Sequence, residues 1–145
     1  MKIYKKMLCV IPVCLILAQA SLNHAWAWGA IAVGTSGNFA KDGFAFGGSI
    51  NQGTDDAAKS AAVDTCRQFK SAPKMAALCN LINTFHNQCY ALAFDPKTGA
   101  PGVGWHIATD RAGAEQGAMA NCKATAGAER QQFCKINQSF CDTHD

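Results

Sequence analysis

The sequence predicts an α+β fold: two ββαβ repeats with pseudo-twofold symmetry, an antiparallel sheet packed on two helices, and disulfides that staple the whole. Three observations predict it. Cys79-Asn-Leu-Ile-Asn-Thr-Phe85 returns as Cys134-Lys-Ile-Asn-Gln-Ser-Phe140, and Ala30-Ile-Ala-Val33 returns as Ala91-Leu-Ala-Phe94. Each half runs from apolar stretches of period two into an alanine-rich stretch of helical period. Cysteines then fall at matching places in both halves.

The elements follow in order. Trp28 to Val33 is a short apolar strand, Gly34 to Asn38 a turn cluster, and Gly43 to Ile50 a returning hairpin arm with Phe44, Phe46 and Ile50 on one side and Ala45, Gly47 and Ser49 on the other. Thr54 is placed to cap a helix that runs to Cys66, with Asp55 and Asp56 where the helix dipole favours negative charge. Ala58, Ala61, Ala62, Thr65 and Cys66 share one face of it; Ala114, Gly117, Ala118, Asn121 and Cys122 share the matching face of a second helix starting near Asp110. Faces so small call for large side chains opposite, here Ile31, Val33, Phe44 and Phe46, then Leu92, Phe94, Val103 and Trp105. The other sheet face, with Ala30, Ala32, Ala91 and Ala93, is then smooth and open to a partner or to self-association; the alternative is a curved, inert face partly covered by the Lys70 loop.

Cys79 to Phe85 reads as a strand, His86-Asn-Gln88 as a tight connection, and Cys89 opens the second copy. Asp95-Pro-Lys-Thr-Gly99 is turn chemistry between Cys89–Phe94 and the arm from Gly102 to Ala108. Cys134 to Phe140 is the last strand.

The chain has 145 residues, enough for one domain. Its start, with Lys2, Lys5 and Lys6, the apolar run Met7 to Ala18, and small-x-small sites ending at Ala20 and Ala27, has the layout of a cleaved Sec-type signal peptide. The competing reading, a membrane anchor, requires about 20 apolar residues. Cleavage is expected after Ala27, with Ala20 as the alternative, which gives a signal over 1–27 and a single domain over 28–145, with repeat one at 28–86 and repeat two at 87–145. The 13 Lys and Arg of the whole chain, less those three lysines, leave ten against 10 Asp and Glu. A neutral mature chain without basic clusters offers no footprint for nucleic acid or an anionic membrane.

Of 8 cysteines, Cys9 and Cys14 leave with the signal, and an even set of six remains. In an exported domain that reads as a disulfide framework, and no tight Cys-x2-Cys pair points to zinc. The repeat positions predict Cys66 with Cys79 and Cys122 with Cys134, leaving Cys89 for Cys141. The alternative pairs equivalent cysteines across the two units.

In combination, the alanine-rich helices ending at Cys66 and Cys122, Cys79 with Phe85, Cys89-Tyr-Ala-Leu-Ala, and Phe140-Cys141-Asp142 resemble domain-of-unknown-function family 4189 from Trp28 to Asp142. The resemblance implies a small exported bacterial protein and carries over no catalytic residue. The loop from Arg67 to Leu78 is longer than the family pattern suggests and is a place for specialisation.

The search for chemistry returns little. His106 follows Trp105 in a strand and is the one weak catalytic candidate; His86 and His144 are expected in solvent, and His24 in the signal. No Gly-x-Ser-x-Gly elbow, phosphate loop or EF-hand spacing occurs, so no cofactor and no metal are expected. The reading is an exported, non-enzymatic binding module of the periplasm or extracellular space, an inhibitor or protective partner of another exported protein. The alternatives are a small secreted hydrolase using His106 and a secreted effector.

Overall fold

A computed structural model describes residues 27–142. The signal-peptide reading, His24 and His144 lie outside the described residues, apart from Ala27. In chain order the elements are β1 (Trp28–Gly34), α1 (Phe39–Asp42), β2 (Ala45–Gln52), α2 (Asp55–Arg67), α3 (Pro73–Ala76), β3 (Cys79–His86), β4 (Cys89–Phe94), β5 (Val103–Ala108), α4 (Arg111–Ala126), a 3-10 turn (Gln131–Phe133) and β6 (Lys135–Cys141).

The helices begin where short polar side chains can take the first free amides. Thr54 accepts from the Ala57 amide at 3.1 Å and Asp110 from the Gly113 amide at 2.7 Å. The four-residue turns α1 and α3 had no signature in the periodicity, being shorter than one repeat of a helical pattern; Asn38 caps α1 and Pro73 opens α3. Asn87, at φ 50, makes the tight link from β3 to β4 in a conformation asparagine tolerates.

The strands form two antiparallel sheets of three, ordered β2-β1-β3 and β5-β4-β6. In each, the strand that comes first in the chain lies in the middle. Both outer strands β3 and β6 carry a register shift, at Ile82 and Asn137.

The layering corrects one expectation. Large side chains were expected against the helices, with the alanine face open; the structure has them the other way round. Ala30, Ala32 and Ala45 pack on Ala58, Ala62 and Cys66 of α2, and Ala91 and Ala93 pack on Ala114, Ala118 and Cys122 of α4. Ile31, Val33, Phe46, Phe85, Tyr90, Leu92 and Val103 meet between the two sheets. The molecule is therefore a sandwich of helix, sheet, sheet and helix. The reason is thickness. Sheets stacked face to face stand about 10 Å apart and need long side chains to fill the space, whereas two small faces let a helix lie directly on strand backbone. A Cβ at Gly47 would overlap the Ala62 carbonyl and the Cys66 amide, and one at Gly104 would overlap the Cys122 amide. Each large side chain buried between the sheets contributes about 1.5–3 kcal/mol, so this middle layer is the main source of stability.

Candidate functional site

Cys66, at the last turn of α2, is bonded to Cys79 at the start of β3; Cys122 of α4 is bonded to Cys134 just before β6; and Cys89 of β4 is bonded to Cys141 of β6. Two bridges thus fasten a helix to the strand that follows it, and the third joins residues directly opposite across a ladder. With all six sulfurs bonded, none of these cysteines is a nucleophile.

His106 is exposed on β5 and lies over Gly117 of α4, where a Cβ would overlap its ring. Among the described residues no hydrogen bond or ion pair joins it to a carboxylate. Its neighbours on the strand, Trp105 and Ile107, turn toward the inter-sheet core. No group of three or more His, Cys, Asp or Glu among the described residues could hold a metal ion.

His86 differs from its expected place in solvent. It is half-buried, stacks on Trp28 with ring centroids 5.1 Å apart, and its Nδ1 donates to the Ala27 carbonyl at 2.7 Å. Ala27 itself is buried. The exchange of a turn position for a stacked one follows from the β1–β3 register, which sets Trp28 opposite His86.

Polar groups inside the fold include Ser49, which donates to the Ala58 carbonyl at 2.7 Å, Asp142, which accepts from the Gln88 amide at 2.7 Å, Asp95 and Tyr90. The Arg130 guanidinium grips Asp95 through Nε and, at 2.9 Å, through its second arm, and holds the Asp95 carboxyl below the usual carboxylate range against the opposing effect of burial. Arg130 also lies 4.4 Å over the Phe133 ring. Tyr90 fills the space between the sheets against Phe46, Phe85 and Phe140, and burial pushes its hydroxyl up to about 12.

The surface feature with most capacity for contact is the outer edge of β3. Leu78, Leu81 and Ile82 are 44%, 38% and 47% exposed. No Lys, Arg, Asp or Glu lies between Cys79 and His86, so the strand lacks the charges that usually guard an edge. Asn83 Oδ1 accepts from the Thr84 amide at 2.9 Å and Asn80 donates to the Leu78 carbonyl at 2.9 Å, while the Thr84 hydroxyl donates to Asp55 of α2.

The counterpart of β3 in the second sheet, β6, is guarded. Arg111, the first residue of α4, donates to the Ser139 carbonyl at 2.6 Å, and Lys135 starts the strand. Cys89 and Cys141 approach to 3.9 Å between Cα atoms, which marks a non-hydrogen-bonded pair; two residues on, the Ser139 carbonyl again faces away from β4, and Arg111 covers it. The first residue of α2 is Asp55, paired with Lys59 and lying beside the Thr84 side chain. A carboxylate only accepts, so it cannot cover a carbonyl. The signal in the sequence was present but quiet: Leu81-Ile82 breaks the alternation of a strand with two adjacent apolar residues.

Together these features define a small, disulfide-bonded α+β domain whose β3 edge strand carries no charged residue of its own. The model of the family "Domain of unknown function (DUF4189)" matches residues 28–141, and the chain belongs to that family. No curated protein and no solved structure matches the chain.

Proposed function

We propose that the protein is an exported binding module that holds another exported protein, as its inhibitor or protective partner, by receiving an extended apolar segment along β3. The observation that carries this reading is the uncharged edge with Leu78, Leu81 and Ile82 turned to solvent. An added strand takes main-chain hydrogen bonds at such an edge and sets its side chains against apolar neighbours. Three disulfides suit an oxidising compartment, the periplasm or the outside of the cell. Among the described residues no helix is long and apolar enough to cross a membrane. The signal peptide over 1–27 belongs to the same proposal.

The test immobilises the oxidised protein and passes periplasmic extract over it beside an Ile82→Lys variant of equal thermal stability. A protein retained by the parent and lost from the variant is the expected result. Recovery of the same proteins on both, or only those retained by an unrelated disulfide-bonded scaffold, overturns the reading.

A further inference from the structure

Loops from both halves of the chain meet at one end of the sandwich and enclose a cleft that the β3 edge does not use. Its floor is aromatic. The Phe44 ring stands 6.2 Å from Phe39, 6.4 Å from Phe69 and 5.7 Å from Phe94, and all four rings are only half-buried. One wall is the long segment between Arg67 and Leu78, which supplies Phe69, Ser71 and Ala72; the opposite wall is the β4–β5 loop at Thr98 and Gly99. Two adjoining lobes of about 490 Å³ and 360 Å³ share Phe39, Ser71 and Thr98. Sites for small molecules span roughly 300–1,000 Å³.

The rim carries an excess of positive charge. Lys41 and Lys74 line the first lobe and Lys97 the second; none of them forms a direct ion pair among the described residues, although the Lys97 charge acts on Asp95. Two carboxylates also reach the lining: Asp42 accepts from the Ser36 hydroxyl at 2.6 Å and keeps its charge, and Asp95 is gripped by Arg130. Asp95 also accepts from the Lys97 amide at 3.0 Å, so the guanidinium behind the wall fixes the loop that carries the third lysine. An apolar floor whose rim carries three lysines against Asp42 as the one carboxylate not paired with a cation matches a molecule that is apolar at one end and anionic at the other.

We propose that this cleft binds an amphipathic carboxylate, an acyl or aryl body lying on the four phenylalanine rings with its carboxylate held among Lys41, Lys74 and Lys97. Binding is tested on the oxidised full-length protein by amide chemical-shift titration with octanoate, octylammonium and acetate. Octanoate is expected to saturate shifts at Phe39, Phe69 and Thr98 and to bind about tenfold more tightly than octylammonium, which shares its chain but reverses the charge. A Lys74→Glu/Lys97→Glu variant is expected to weaken octanoate about fivefold or more with its three disulfides and melting temperature unchanged. Phe39→Ser is expected to weaken octanoate and octylammonium alike, and Ile82→Lys to change neither, which separates this site from the β3 edge. Equal affinity for octanoate and octylammonium, saturation of the same shifts by acetate, or the absence of saturable binding overturns the proposal.

Discussion

The outer end of the central strand is closed in two different ways in the two halves of the molecule. In the first half Trp28 faces His86 across the β1–β3 ladder, and the two rings stack. In the second half Cys89 faces Cys141 across the β4–β6 ladder, and a disulfide joins them. One residue further along, Gly29 leaves room for the buried ring of Phe85, whereas Tyr90 occupies that room and leaves Phe140 at 44% exposure. The lesson is that a strand pair in this setting can be shut by a reversible contact or a covalent one. The half with the covalent closure also has its edge covered by Arg111, and the half with the stacked rings has its edge open.

The largest effect expected is at the bridge itself. Cys89→Ala/Cys141→Ala opens a loop of 52 residues and is expected to cost about 4 kcal/mol in the chain-entropy account, against about 3 kcal/mol for Cys66→Ala/Cys79→Ala, whose separation is 13. Urea unfolding of the two double variants measures both, and a larger loss from the shorter loop would show that contacts in the folded state outweigh loop closure.

The helix contacts come next and should be equal in the two halves. Gly47→Ala and Gly104→Ala each force a methyl group into helix backbone, and each is expected to cost about 3 kcal/mol. Thermal melts of the two single variants check this. A loss confined to one half would mean that one helix can move away from its sheet.

The tyrosine of the second half gives a pH signature that the glycine of the first cannot. The Tyr90 hydroxyl is raised to about 12 in the folded protein from an ordinary 10.0, so as pH rises the unfolded chain releases this proton first. Stability is whole below pH 10 and is lost from there to about pH 12, by about 2–3 kcal/mol. Tyr90→Phe is expected to remove that alkaline loss, as read from urea midpoints at pH 8 and pH 11.5.

The smallest effect on stability is at the edges. Arg111→Ala uncovers the Ser139 carbonyl and is expected to change unfolding stability by no more than about 0.5 kcal/mol while increasing self-association, as measured by sedimentation. If self-association stays constant, covering that carbonyl is not what keeps the second edge single.

Much of this was legible in the sequence, and the residues show where legibility stops. The strand at Cys89 is written in alternation, the strand at Cys79 in its repetition at Cys134, and the helix starts at Thr54 and Asp110 in capping. The six-cysteine framework was legible from an even count and from the matching repeat positions of four of the six. Alternation also separated Phe44 and Phe46 from Ala45 and Gly47, but it says only that two faces differ, not what each one meets. With one layer of helices imagined, the large faces went to the helices; a second sheet claims them instead. The Asp95–Arg130 pair spans 35 positions with no motif between, and the phenylalanine floor gathers Phe39, Phe44, Phe69 and Phe94 from segments that only the fold brings together. His106 was visible because histidine is conspicuous, while Leu81 and Ile82 passed as ordinary strand residues.

The bond between Cys89 and Cys141 has a mechanical consequence. Tension applied between residue 28 and residue 142 runs through the first half, crosses the two sulfurs and leaves, so nothing from Tyr90 to Phe140 bears load. A covalent shortcut across 52 positions withholds roughly 180 Å of chain from extension, at about 3.5 Å per residue. Pulled from its ends, the molecule would yield first at the strand pair shut by non-covalent contacts, and the chain from Tyr90 to Phe140 would not be extended until a reductant cut the bond.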